Sequence, residues 1–226
     1  MLIIKLGGSV IQSSPLEINP QLIKFLDLIK KSNEQVLIIN GGGQLCRLLQ
    51  NTLKENTVSN NDSLNKIGLT VNNMYGEFLR LYFPADKTYP NLVITDADIE
   101  NANKVKDKYQ FFVGGALKSG FSSDYNAVIF ALGFESKQIL RITNVDYVYD
   151  KDPKLFADAK KIEKMDWEEY MHLIGSEFKP GGNYPFDPIA SRLAMENRIK
   201  VYLTKIDKVI EKNNLSFENF KGSVIG

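Results

Sequence analysis

The chain has 226 residues, 43% hydrophobic and 24% charged, a balance that suits one large soluble domain or two small lobes and excludes a disordered chain. With 28 basic and 27 acidic residues the net charge is near +1, so no global field favours nucleic acid or an anionic membrane, and a phosphate ligand must be held by a local site. One cysteine excludes an internal disulfide or a cysteine-based zinc cluster, and no apolar run approaches the roughly 20 residues needed to span a bilayer.

The opening MLIIKLGGSV is interrupted too early by Lys5 and two glycines to serve as a secretion signal, and the chain reads as cytoplasmic. Leu2 to Leu6 predicts a short strand carrying one lysine and stopping at Gly7-Gly8-Ser9. Two consecutive glycines let backbone N–H groups converge into an anion nest, to which Ser9 adds a hydroxyl and Lys5 a charge. The same turn also serves as a plain tight turn. Apolar spacing over 20–31 after Asn19-Pro20 predicts a helix. A second strand, 35–39, ends at Asn40-Gly41-Gly42-Gly43 and enters a helix over 44–55. This repeats the first unit, and right-handed crossovers would bring both glycine turns to one edge of a parallel sheet. Cys46 reads as a small buried hydrophobe, while Arg47 lies one turn into the helix, within reach of that edge.

Residues 56–63 read as a polar surface loop, 64–83 as a helix ended by Pro84, 92–94 as a short strand, and Thr95 or Asp96 as the start of another helix. Asp96, Asp98 and Glu100 read as helix-dipole partners in preference to a metal cluster. A strand over 111–113 stops at Gly114-Gly115, and Lys118, Ser119, Gly120, Ser122 and Ser123 form a third phosphate-friendly loop running into a helix over 124–133 with Gly133 at its end. Asp124 reads either as the N-cap of that helix or as a carboxylate placed where the glycine loops meet.

A strand over 137–142 empties into TNVDYVYDKDP at 143–153. Thr143, Asn144, Asp146, Asp150 and Asp152 there supply hydroxyl, amide and carboxylate groups where open α/β sheets bind ligands, or make an Asx-rich connector. Asp166 to Glu169 predicts a capping box for a helix over 167–175, whose His172 reads as structural. The loop FKPGGNYPF is punctuated by glycines and prolines as a site cover would be. Asp187-Pro188 opens the next helix, 199–203 is a strand, and the remainder reads as a short helix and a tail. No repeat emerges, and only a soft boundary near 135 divides a phosphate-acceptor half, 1–135, from an ATP-binding half, 136–226, of one domain.

Together IIKLGGS at 3–9, NGGGQLCR at 40–47, SSDYNA at 122–127 and TNVDYVYDKDP at 143–153 resemble the amino acid kinase superfamily in order and approximate spacing. The short length and PFDPIASRLA at 185–194 are similar to its uridylate (UMP) kinase branch, of archaeal type. The resemblance implies an α/β fold, a three-layer αβα sandwich around a mainly parallel central sheet. It implies transfer of the ATP γ-phosphoryl to UMP, Mg²⁺ held mainly by the ATP phosphates with no direct protein ligand, and a homo-oligomer, typically a hexamer. By resemblance Lys5 and Asp124 are catalytic. Gly8, Ser9, Gly43 and Arg47 contact ATP phosphates, and Thr143, Tyr149 and Asp152 hold the nucleoside end. Gly42, Gly115, Lys118, Ser119, Gly120, Ser122 and Ser123 cradle the acceptor phosphate, and Asn65 faces the acceptor ribose.

Departures are specific. Tyr147 replaces a family glycine and would be strained at positive φ. Asn65 replaces the carboxylate that usually meets the ribose hydroxyls, and Asn73 and Tyr75 replace an arginine and an asparagine. Two rivals follow from these changes: a kinase of another small phosphate, such as isopentenyl phosphate, and a non-catalytic nucleotide-binding sensor or storage protein of the same fold. The isopentenyl phosphate kinases carry H-G-G-G where this chain has Asn40 before its triplet.

Overall fold

The computed structural model describes residues 1–15, 17–57, 60–117, 120–175 and 184–226. Strand β1 (Leu2–Leu6) is buried throughout and ends at Gly7, which precedes a single helical turn, α1 (Gly8–Ile11). A small hairpin of β2 (Gln12–Ser14) and β3 (Glu17–Ile18) leads to α2 (Pro20–Lys31), where the Asn19 side chain accepts from the Gln21 N–H and Pro20 sits where no helical amide is needed. Strand β4 (Val36–Asn40), again buried throughout, passes through the glycine triplet into α3 (Gly43–Asn56). Helix α4 (Asn61–Tyr82) is capped by Asn60 and ends before Pro84, which disfavours helical backbone at Phe83. Helix α5 (Asp96–Lys104) begins at a reciprocal Thr95–Asp98 capping box.

Strand β5 (Phe111–Gly114), helix α6 (Ser123–Gly133) and strand β6 (Gln138–Thr143) follow. Next come a two-residue hairpin of β7 (Val148–Tyr149) and β8 (Lys161–Ile162), then β9 (Lys164–Met165) and α7 (Trp167–Ile174), which has the expected Asp166–Glu169 box. Helix α8 (Pro188–Glu196) is capped by Asp187, and β10 (Lys200–Lys205), α9 (Ile206–Lys212) and β11 (Ser223–Ile225) complete the chain.

The main sheet has seven strands in the order β5-β4-β1-β6-β10-β11-β9. Its first five are parallel to their neighbours and β11 is antiparallel to β10. Period-2 alternation divides the core. Ile3, Leu37, Ile139 and Val201 pack with α6 and α8 on one face, while Leu2, Ile4, Ile38 and Leu140 pack with α2, α4 and α9 on the other. The result is the three-layer sandwich that the resemblance implied. After β1 the chain adds β4 and β5 on one side, then crosses to add β6 and β10 on the other, so the strand order reverses at β1/β6. The carboxyl ends of those two strands open the crevice where such sheets bind ligands.

Several boundaries differ from expectation. Residues 92–94 do not form a strand of the sheet: Val93 makes one isolated bridge to Gly114 before Thr95 starts a helix. Helix α4 begins at Asn61 and so absorbs part of the expected loop. Gly133 lies inside α6 and Phe134 caps it. The expected tail ends in β11, inserted between β10 and β9. Among the described residues, no helix is long and apolar enough to cross a membrane.

Candidate functional site

Lys5 on β1 and Arg141 on β6 are direct register partners across the parallel pair, so their side chains rise from the same face at the carboxyl end of the sheet. Helix α6 lies over that face and lowers Asp124 between them. The Lys5 Nζ is 2.8 Å and the Arg141 Nε 3.0 Å from the same oxygen, Asp124 Oδ1. All three residues are buried, at 3%, 7% and 7% exposure respectively. Asp124 is not the cap of α6. The Ser122 hydroxyl oxygen accepts from the Tyr125 N–H and does that work, which frees the carboxylate to point inward. The other carboxylate oxygen, Oδ2, accepts from the Asp187 N–H at 3.3 Å. That amide is held in turn by Tyr170, whose buried hydroxyl donates to the Phe186 carbonyl at 2.7 Å and accepts from the Phe186 N–H at 2.6 Å.

Charge in this cluster is out of balance, because two cations face one carboxylate. Burial, followed by the Arg141 charge, pushes the Lys5 ammonium down to about 8, with Asp124 opposing. For Asp124 burial acts upward, but Arg141 and then Lys5 outweigh it and hold the carboxyl below its usual range. Asp187 is pushed up by its own burial and by neighbouring Asp124. Desolvated in this way, the cluster has a standing affinity for one more anion.

The first glycine turn borders this cluster, because a Cβ on Gly7 would lie 2.9 Å from Arg141 Nη1. A Cβ on Gly8 would fall within the van der Waals envelope of the Gly43 nitrogen and Cα, so the two turns touch backbone to backbone. Gly8 has an ordinary helical conformation. It is required for close approach to Gly43, and no left-handed residue occurs at Gly7-Gly8. The nest geometry appears instead at the second turn, where Gly42 is right-handed at φ −69° and Gly43 left-handed at φ 67°. A Cβ on Gly41 would lie 3.2 Å from the Gly8 nitrogen and 3.3 Å from the Ser123 hydroxyl, which places the third loop's exit at the same point. One amide is already engaged: Leu45 N–H donates to buried Gln12 Oε1 at 3.3 Å.

On the β6 side, Thr143, Tyr149 and Asp152 line one cavity of about 360 Å³, together with Tyr147, Leu173, Tyr184 and Pro185. Asp152 is exposed and its Oδ1 accepts from the Lys154 N–H, while the Tyr149 hydroxyl donates to Asp146 Oδ1 at 3.0 Å. Tyr147 does not adopt positive φ, so the expected strain is absent. Its ring faces the Lys161 ammonium at 4.8 Å from the centroid.

On the α4 side, Asn65 is half-buried in the second turn of the helix. Asn73 Oδ1 accepts from the Ala116 N–H at 3.0 Å, and Gly115 allows that approach. The Asn40 and Asn72 side-chain oxygens are buried without a hydrogen-bond partner among the described residues. Gly120 is exposed at φ 85°. Arg47 stands exposed on the flank of α3 and has no ion pair among the described residues. Lys118, Ser119 and most of the glycine-proline loop, 176–183, lie outside the described residues.

No cluster of three or more acidic, histidine or cysteine side chains fit to hold a metal occurs among the described residues. Asp124 is engaged by two cations, so the donor set suits a metal brought in on phosphates better than one held by protein. His172 is exposed at the end of α7. Cys46 is buried, its thiol pushed up chiefly by that burial. Arg141 is the residue that sequence reasoning passed over. Its signal was present, because IIKL and ILRI carry a basic residue at the same step of two strands that the sheet pairs.

The family model described as amino acid kinase family matches residues 1–205. The uridylate kinase of Thermoplasma volcanium is 30% identical over 217 residues, covering 95% of this chain and 92% of the relative. That of Thermoplasma acidophilum is 29% identical over 208 residues, covering 91% and 88%. Among solved structures, uridylate kinase from Archaeoglobus fulgidus superposes with a TM-score of 0.80 at 22% identity, over 100% of this chain and 99% of that one. UMP kinase from Bacillus anthracis gives 0.79 at 18%, over 100% and 95%. With two glycine turns in contact, a buried lysine–carboxylate pair, and a family match along nearly its whole length, this chain belongs to the amino acid kinase family, in its uridylate kinase branch.

Proposed function

We propose that the protein is a UMP kinase, moving the γ-phosphoryl of ATP to the phosphate of UMP to give UDP and ADP. The observation that carries this reading is the 2.8 Å Lys5–Asp124 pair, together with the contact of Gly8 with Gly43 and the approach of Ser123, the neighbour of Asp124, to Gly41. Two polyanions must be brought in line while charge spreads over the oxygens in transfer, so catalysis here is positioning and electrostatics. Asp124 aims the Lys5 ammonium, and the amides of Gly8, Ser9 and Gly43 receive ATP phosphate oxygens. Thr143, Tyr149 and Asp152 border the nucleoside cavity. Gly42, Ser122 and Ser123 face the acceptor phosphate, and Asn65 offers its amide to the ribose. The attacking oxygen is already ionised at neutral pH, so no general base is needed. Mg²⁺ bound to the ATP phosphates would neutralise part of their charge. The same reading makes the protein a cytoplasmic homo-oligomer.

The test is ADP release with ATP against a panel of UMP, CMP, other nucleoside monophosphates and isopentenyl phosphate. UMP should give the highest kcat/KM; preference for an isoprenoid phosphate, or turnover with none, would overturn the assignment.

Proton linkage gives a second check. Because the folded Lys5 titrates near 8 and the unfolded side chain near 10.5, the unfolded state holds more protons between those values. Lys5 therefore weakens the empty fold below pH 8, and that penalty is relieved as pH rises through the window. Phosphate oxygens beside Lys5 reverse the shift, so ATP binding at pH 8.5 should take up as much as about one proton. Calorimetry in buffers of differing ionisation enthalpy reads this directly, and uptake should vanish in Lys5→Met.

A further inference from the structure

Among the described residues, Arg141 is the most buried cation without an assigned role. Its Nη1 donates to the Ile142 carbonyl at 2.8 Å. A Cβ on Gly7 would lie 2.9 Å from the same nitrogen, so the guanidinium runs directly under the β1–α1 turn. Its Nε reaches Asp124 at 3.0 Å as an ion pair without the alignment of a hydrogen bond, and the atom is otherwise buried with no partner among the described residues. A buried donor left in this state is a group waiting for a tighter arrangement. The planar fork thus bridges the carboxylate that holds Lys5 and the turn that lies over it.

We propose that Arg141 is the positioning residue of the transfer site, fixing Asp124 against the first glycine turn and adding a permanent positive charge beneath the bound phosphates. This rests on the kinase reading. The charged groups facing Lys5 are Arg141 from β6, Asp124 from α6 and Asp187 at the start of α8. Arg141 is the repulsive one, so its charge can be read out at Lys5.

The experiment compares wild type, Arg141→Lys and Arg141→Met in steady-state kinetics with ATP and UMP, alongside an NMR titration of the Lys5 side chain in the unliganded protein. Arg141→Met should lower kcat by about tenfold to a hundredfold with KM for UMP little changed, and should move the Lys5 midpoint upward. Arg141→Lys should keep the midpoint but lose several-fold in kcat, because one ammonium cannot span both Asp124 and the Ile142 carbonyl. Full kcat in either variant, or an unmoved midpoint in folded Arg141→Met, overturns the proposal. Should Arg141→Met fail to fold, Arg141→Lys decides alone by the same criterion. Wild type inactive on every acceptor overturns the kinase reading and the positioning role together. An active wild type with indifferent variants overturns the positioning role alone.

Discussion

Asp124→Asn should reduce kcat by about 10²–10³-fold without raising KM for ATP. The amide keeps the shape of the carboxylate and removes its charge, leaving Lys5 and Arg141 as two like charges around one buried atom. Removing one partner of a buried ion pair costs about 3–5 kcal/mol, and here the residue lost is, among the described residues, the only anion paired with both cations. Lys5 can relieve part of the cost by deprotonating, since it already titrates near 8. In a chain of this size the remainder should lower Tm by roughly 6–15 °C. Saturating ATP should then raise the variant's Tm by more than it raises that of wild type, because the phosphates replace the missing anion. Thermal shift assays with and without nucleotide, run beside turnover, measure both effects. An unchanged kcat would remove Asp124 from the mechanism.

Gly8→Ala should be the second severe change. Its Cβ would strike the Gly43 backbone, which cannot rotate aside, so the two turns must separate. Overpacking of this kind costs about 1–3 kcal/mol, and a displacement near 1 Å at the phosphates costs about 10²-fold in turnover. Gly68→Ala supplies the contrast in stability. Gly68 is inside α4, and its Cβ would make only ordinary contacts, 3.6 Å to Gln50 Nε2 and 3.9 Å to Cys46 Sγ. Relief of glycine's backbone entropy there should stabilise by about 0.5–1 kcal/mol. Denaturant midpoints of the two variants should therefore move in opposite directions.

The layered fold was legible because its central strands are short, mostly apolar runs and its long helices carry their own stop signals. Asn19-Pro20, the Asp166–Glu169 box and Asp187-Pro188 each mark a helix start where the sequence placed it. What escaped was set by tertiary context. Strands β7, β8 and β9 have two residues each, too few to carry a period, and β11 is defined by its neighbours in the sheet. At the site, Lys5 and Asp124 were readable from motif order, and they do meet. Asp124 was ambiguous because a carboxylate at a helix start has a local use, and only the Ser122 hydroxyl's capping bond resolves it. Arg141 was hidden by its apolar neighbours: a single charge in a strand core looks like a flaw until register sets it beside Lys5. The contact of Gly8 with Gly43 was not legible, since a close approach between distant backbones leaves no trace in local sequence.

Pairing Lys5 with Arg141 also bears on how the molecule comes into being. Their strands are neighbours in space but far apart in the chain, so this contact must close a long loop. Until then Lys5 remains hydrated at the rim of an unfinished sheet. An amino-terminal fragment that has folded as far as β4 owns a glycine turn and a lysine, yet no carboxylate to aim it. The reaction centre is a splice between early and late segments, and neither end of the chain can assemble it alone.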